Sequence, residues 1–72
     1  MINSIEKICT KERVVYSRIN NECVRKTNCS LNGDIRKEKI INVREVHQNR
    51  RSHRSVKDFF DDMILSQGYH II

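Results

Sequence analysis

The chain has 72 residues, of which 14 are basic and 9 are acidic, and its formal net charge is +5. This length fits one small domain, residues 1–72, and excludes enzymes that need separate cofactor and substrate lobes. The positive charge favours an anionic partner, but it does not determine the fold.

No segment approaches the roughly 18 consecutive apolar residues of a membrane-spanning helix, so we expect no membrane partner. Charges interrupt the first residues, where a secretory signal would be apolar, which predicts a cytoplasmic protein. The cysteines, Cys9, Cys23 and Cys29, are odd in number, unlike the disulfide framework of a small secreted domain. Zinc is a less favoured alternative, because no cysteine or histidine pair has the close spacing of structural zinc ligands. We therefore expect no metal and no other cofactor.

Residues 4–11 predict a short helix, with a strand as the competing interpretation. Asn3 followed by Glu6 resembles a helix capping box. Isolated helices of this length are marginal without packing, and the isoleucines here also suit a strand.

The middle of the chain predicts a three-stranded antiparallel meander. Asn20–Asn21 and Asn32–Gly33 are signals for two-residue hairpin turns. They separate three strand-like segments, 13–19, 22–27 and 35–46. The predicted fold class is therefore α+β, a meander packed on a C-terminal helix, with an α-β-β-β-α order if the first helix forms.

The two turns also predict the register of the strands and hence the two faces of the sheet. Tyr16 should oppose Arg25, Arg25 should oppose Ile40, and Cys29 should oppose Arg36. The face toward the helix should then hold Val15, Ser17, Ile19, Val24, Ile35, Ile41 and Val43, with Lys26, Lys37 and Lys39 toward one end. The polar members of the other face, called the arginine face, are Tyr16, Arg18, Arg25, Thr27, Arg36, Asn42 and Arg44.

The arginine face is a predicted surface for reading DNA. Arginine and asparagine discriminate guanine and adenine in the major groove, and a small sheet can enter that groove. The alternative is an ordinary solvated face, because antiparallel sheets commonly leave one face in contact with water.

An arginine-rich stretch, residues 48–54, precedes the predicted helix and is called the arginine segment. It contains Arg50, Arg51, His53 and Arg54. Guanidinium groups beside the free N–H groups of a helix N-terminus would bind a phosphate. A solvated linker is the alternative interpretation.

Residues 55–67 predict an amphipathic helix. Ser55 and Asp58 have capping-box spacing, and Gly68 suits the position after the helix end. Its apolar face is formed by Val56, Phe59, Phe60, Met63 and Ile64. The apolar tail, 69–72, predicts an edge strand, packing beside the helix, or a homodimer interface.

A three-stranded sheet backed by a C-terminal helix resembles the arm-binding domains of tyrosine recombinases and the plant ethylene-response DNA-binding domains. That resemblance implies DNA contact through the arginine face. With the N-terminal helix, the order resembles a double-stranded RNA-binding domain, which implies contact through the arginine segment.

We therefore expect a small nucleic-acid-binding protein that prefers DNA to RNA and uses the arginine face and the arginine segment. The main alternative is a phage- or mobile-element-type inhibitor or adaptor whose basic segment binds an acidic surface of a larger protein. No nucleophile motif or phosphate-binding glycine loop occurs, so no enzymatic activity is expected; a ribonuclease with a single catalytic histidine is the enzymatic alternative.

Overall fold

In the computed structural model, which describes residues 1–45 and 51–72, antiparallel strands form a five-stranded sheet with a helix against one face. The elements in chain order are β1 Ser4–Ile8, β2 Glu12–Arg18, β3 Cys23–Ser30, β4 Ile35–Asn42, α1 Val56–Gln67 and β5 His70–Ile71. The order across the sheet is β4-β3-β2-β1-β5. The α+β class is confirmed, but the predicted three-stranded meander is too small.

The first segment is a strand, so the predicted helix over 4–11 is wrong and the competing strand is confirmed. β1 pairs with β2 from Ser4 opposite Ser17 to Ile8 opposite Arg13. Ile5 is fully buried in the core through this pairing. The partner strand, which is distant in sequence, decides the conformation of a segment whose local preference is weak.

The hairpin between β3 and β4 has the predicted register over most of its length. Val24 opposes Ile41 and Arg25 opposes Ile40. Near the turn the register shifts by one residue, so Cys29 opposes Ile35 instead of Arg36. This irregularity places Ile35 on the face away from the helix, where it is 61% exposed, contrary to prediction.

The hairpin between β2 and β3 differs from the prediction by one residue. Tyr16 opposes Lys26 instead of Arg25, and Arg18 opposes Val24. The connection is longer than two residues, because the side-chain oxygen of Asn20 accepts bonds from the backbone N–H groups of Glu22 and Cys23. A one-residue slip reverses the face of every β2 side chain.

The slip exchanges the predicted core residues of β2. Val14 and Tyr16 are buried against α1, whereas Val15 and Ser17 lie on the opposite side and Ile19 is exposed in the turn. We call the side of the sheet that packs on α1 the helix-side face and the other side the open face. The buried core comprises Ile5, Val14, Tyr16, Val24, Ile41, Val43, Val56, Phe59 and Phe60.

The predicted C-terminal helix is confirmed, together with both of its ends. The Ser55 hydroxyl accepts a bond from the Asp58 N–H, and Gly68 adopts the left-handed conformation, with φ at 78°. Beyond it, β5 pairs with β1, with Ile71 opposite Ile5 and His70 opposite Glu6. The edge-strand interpretation of the tail is therefore confirmed.

Candidate nucleic-acid interface

The predicted arginine face does not form as one surface. Arg25, Thr27 and Asn42 lie on the open face, as expected. Tyr16 and Arg18 lie on the helix-side face, because the register between β2 and β3 differs from the prediction by one residue. The structure therefore brings together fewer than half of the residues predicted for this surface.

The two misplaced residues of β2 have structural partners on the helix side. Tyr16 is 1% exposed, and its ring meets the Phe59 ring edge-on, with 5.0 Å between the ring centres. The Arg18 guanidinium lies 5.6 Å from the centre of the Phe60 ring, and its Nε donates to the Ile2 carbonyl. Neither side chain is placed to read a base from the open face.

The remaining arginines of the predicted surface lie at its margins. Arg36 is exposed at the irregularity between β3 and β4. Arg44 follows the end of β4, and its Nη1 lies 3.2 Å from a carboxylate oxygen of Glu22. The Arg44 Nε also donates to the Arg54 carbonyl at 2.9 Å, which anchors the chain before α1.

Part of the arginine segment is occupied by a carboxylate of α1. Arg50 lies outside the described residues. The Arg51 Nη2 lies 3.4 Å from Asp62 Oδ1, and the His53 Nε2 lies 3.0 Å from Asp62 Oδ2. His53 is largely buried, and its backbone N–H donates to the Val43 carbonyl at 2.7 Å. Arg54 is exposed and remains available to an anion.

The electrostatics of Asp62 reflect these contacts. The hydrogen bond with His53 is the largest cause that lowers the pKa of the Asp62 carboxyl. Burial opposes this effect, while a bond from the Ser66 hydroxyl and the charge of Arg51 add to it. The Asp62 carboxylate therefore occupies the place beside Arg51 and His53 at which a phosphate was expected to bind.

Lysines form a second basic surface, which lies on the helix-side face. Lys26 opposes both Tyr16 and Lys39, so these residues share one face. Lys7 opposes Val14, and Lys37 opposes Asn28, which itself opposes Val14. We call Lys7, Lys26, Lys37 and Lys39 the lysine surface.

The four lysines of this surface differ in their exposure. Lys37 and Lys39 are exposed on the edge strand β4. Lys7 and Lys26 are half-buried, with their ammonium nitrogens 5.9 Å and 6.0 Å from the ring centres of Tyr69 and Tyr16. Each of these two ammonium groups therefore lies beside an aromatic ring.

Sequence reasoning found this surface only in part. It placed Lys26, Lys37 and Lys39 on the helix side, and the structure confirms that placement. They were interpreted as the polar end of a core face and not as a site. Lys7 was missed because its segment was predicted as a helix.

The two faces of the sheet differ in charge balance. Within β1 to β4, the helix-side face carries the lysine surface, Arg18 and one carboxylate, Glu12, which accepts a bond from the Asn28 amide at 3.4 Å. Two further carboxylates, those of Glu45 after β4 and Asp62 in α1, line the same depression as Lys7. On the open face, Glu6 and Glu38 accompany Arg13 and Arg25, and Arg36 lies at the margin. The positive charge of the strands is therefore concentrated on the helix side.

One charge cluster of the open face is self-contained. Glu6 is only 9% exposed, and its carboxylate pairs with the Arg13 Nε and lies 3.2 Å from the His70 Nε2. The hydrogen bond from Arg13 lowers the pKa of the Glu6 carboxyl, burial opposes this, and His70 lowers it further. Arg13 therefore has an internal partner.

Comparisons with known proteins give no relative for this chain. No family model matches it, and neither does any curated protein or solved structure. Within residues 1–45 and 51–72, no three His, Cys, Asp or Glu side chains are grouped so that they could hold a metal ion. In the same part of the chain, no helix has the length and apolar character needed to cross a membrane.

Proposed function

We propose that the protein binds nucleic acid through the lysine surface, Lys7, Lys26, Lys37 and Lys39. The observation that supports this is the unequal charge of the two sheet faces. Within the strands, Glu6 and Glu38 accompany the arginines of the open face, whereas Glu12 is the one strand carboxylate that accompanies the four lysines and Arg18 on the helix side. A surface of one sign attracts a polyanion and raises its rate of association.

The dimensions of the lysine surface suit a nucleic-acid backbone. It extends from β1 to β4, which is three strand spacings, or about 14 Å. At a rise of about 3.4 Å per nucleotide, this length spans about four nucleotides of one strand. Several phosphates can therefore be contacted together.

Lysine also determines the kind of recognition. Its ammonium group is a compact point charge without the planar fork that lets arginine bind a guanine edge in two places. Contacts from lysine position the backbone and carry little sequence information. We therefore expect binding that depends weakly on sequence and strongly on salt. The predicted preference for DNA over RNA rested on the arginine face, so both are tested.

The test removes two lysines and compares salt dependence. Lys37→Gln with Lys39→Gln removes the charges of two exposed lysines that form no ion pair within residues 1–45 and 51–72. Binding to duplex DNA is followed by fluorescence anisotropy over a range of salt concentrations. The slope of log affinity against log salt should fall by about 1.8, since each lost phosphate contact contributes about 0.9.

A matched control separates this surface from the overall charge. Lys11→Gln with Lys57→Gln removes the same charge from two exposed lysines outside the lysine surface, and should change the slope much less. An equal loss in both double variants would contradict a defined lysine surface. No binding to duplex DNA, duplex RNA or single strands at low salt would reject the function, and an acidic protein partner would then be favoured.

A further inference from the structure

We infer that the open face of the sheet is the interface of a symmetric homodimer. Among the described residues, the helix packs on the other face, and no element covers the open one. Ile8, Ile35 and Ile40 project from the open face and are 59%, 61% and 57% exposed. Ile8 and Ile35 lie at the two ends of one row across the sheet, with Arg13 and Cys29 between them, and Ile40 lies near the other end of β4. Isoleucines so scattered are ordinary on a protein surface, so the charges of this face are what favour a partner.

The charges of the open face indicate that the partner is a second copy of the chain. Arg25 opposes Ile40, and Glu38 opposes Thr27 on the neighbouring strand, so the two charges lie diagonally across β3 and β4. Neither has an ion-pair partner within residues 1–45 and 51–72. A two-fold axis can place each Arg25 against Glu38 of the other copy, which is the reciprocal pairing of an isologous interface.

The overall charge also favours this face over the others. Two chains of net charge +5 repel each other, most strongly where their lysine surfaces meet. The open face carries acidic as well as basic side chains, so it is the side on which two copies can approach. This association leaves both lysine surfaces at the outside and does not depend on their binding nucleic acid.

The free edge of β4 is a poor alternative for self-association. An antiparallel two-fold pairing of two β4 strands keeps each face continuous, so residues of one face oppose residues of the same face. In the central registers, Lys37 or Lys39 would then oppose a lysine of the second copy. Like charges in directly opposed positions destabilise a strand pair, and charged edge strands resist pairing.

The experiment exchanges the two charges and measures mass by sedimentation equilibrium without nucleic acid. Arg25→Glu leaves acidic side chains at both positions 25 and 38, whereas Glu38→Arg leaves basic side chains at both. The wild-type protein should be a reversible dimer. Each variant alone should be monomeric, because its like charges meet across the axis. An equimolar mixture of the two should form a heterodimer, since every contact then joins opposite charges.

Three further variants complete the test, and two of them are controls. Arg54→Glu makes the same change in charge as Arg25→Glu but lies off the open face, so it should remain dimeric. Ile40→Lys should be monomeric, whereas Leu65→Lys, at a helix residue that is 85% exposed, should remain dimeric. Thermal melts verify that all variants fold.

The inference is overturned by a wild-type protein that stays monomeric up to millimolar concentration. It is equally overturned if folded Arg25→Glu and Ile40→Lys variants remain dimeric, or if the mixture of charge variants does not associate. Because nucleic acid is absent throughout, these outcomes leave the proposed function of the lysine surface to its own test.

Discussion

Asp62 connects α1 to the chain that precedes it, so its replacement should loosen that connection. Asp62→Asn removes the charge that His53 and Arg51 share and should lower the free energy of unfolding by about 1 kcal/mol at neutral pH. Asp61→Asn is the control, because the exposed Asp61–Lys57 pair on the same helix contributes only a few tenths of a kcal/mol, about 0.3–0.5. Urea unfolding measures both variants, and equal losses would contradict the role of Asp62.

The same carboxylate predicts a direction of pH dependence. The pKa of Asp62 is lowered in the native state, so the unfolded chain binds a proton at a higher pH than the folded one. Its contribution is therefore present above the unfolded pKa and is lost as the pH falls through the native pKa. Once the pH falls below the unfolded pKa, the stability difference between wild type and Asp62→Asn should shrink. A difference that stays constant or grows in that acidic range would contradict this assignment.

Phe60 is the residue of α1 whose loss should be most damaging. It is fully buried, and the Arg18 guanidinium lies over its ring. Phe60→Ala should cost about 3–5 kcal/mol, which approaches the total stability of a domain of this size. Leu65→Ala, at an 85% exposed position of the same helix, should change stability by less than about 0.5 kcal/mol. Similar urea midpoints for both variants would contradict the burial of Phe60.

At the scale of elements, the sequence predicted the features that depend on residues close together in the chain, namely the ends of α1 and the pairing of β3 with β4. The period of α1, the Ser55 cap and Gly68 are encoded within a few residues of one another, and the helix was predicted with both ends. The Asn32–Gly33 turn likewise predicted the pairing of Val24 with Ile41. Each of these features can be predicted from a few neighbouring residues, because no distant segment is needed to form it.

The errors arose where side chains or distant segments decide the structure. Asn20 accepts two backbone bonds and lengthens its turn, which moved Tyr16 and Arg18 to the other face of the sheet. β1 is a strand because β2 pairs with it, and its own residues do not encode that choice. The contact of His53 with Asp62 joins a loop to a helix face and has no local signal. The candidate site therefore shifted from arginines to lysines.

The terminal strand β5 should stabilise the sheet without altering its assembly. It is held to β1 by its ladder, by the bond from the Ile72 N–H to the Ser4 carbonyl, and by the His70–Glu6 contact. Removing residues 70–72 should lower the free energy of unfolding by about 1–3 kcal/mol, at about 1 kcal/mol for each lost bond. The oligomeric state should not change. A truncated protein that changed its association and kept its stability would instead make the tail an interface.

At the scale of the whole molecule, the sheet separates two surfaces with different chemistry. The open face has charges of both signs and exposed isoleucines, and the helix-side face has an excess of lysine. A homodimer through the open faces would carry two lysine surfaces on its outer sides. A long single strand of DNA is flexible enough to reach both, whereas a short oligonucleotide reaches one. The second contact then becomes intramolecular and raises the apparent affinity.

This arrangement predicts that one variant with added positive charge binds a long nucleic-acid strand more weakly. Glu38→Arg makes the chain more positive, so a simple electrostatic attractor would bind every nucleic acid more tightly. If it also separates the dimer, binding to a long single strand should weaken about a hundredfold through the loss of the second contact. Binding to a short oligonucleotide should stay the same or strengthen slightly. Anisotropy titrations with both lengths distinguish the cases: tighter binding of the long strand would contradict bivalent binding, whereas marked weakening on the short one would place Glu38 in the nucleic-acid contact itself.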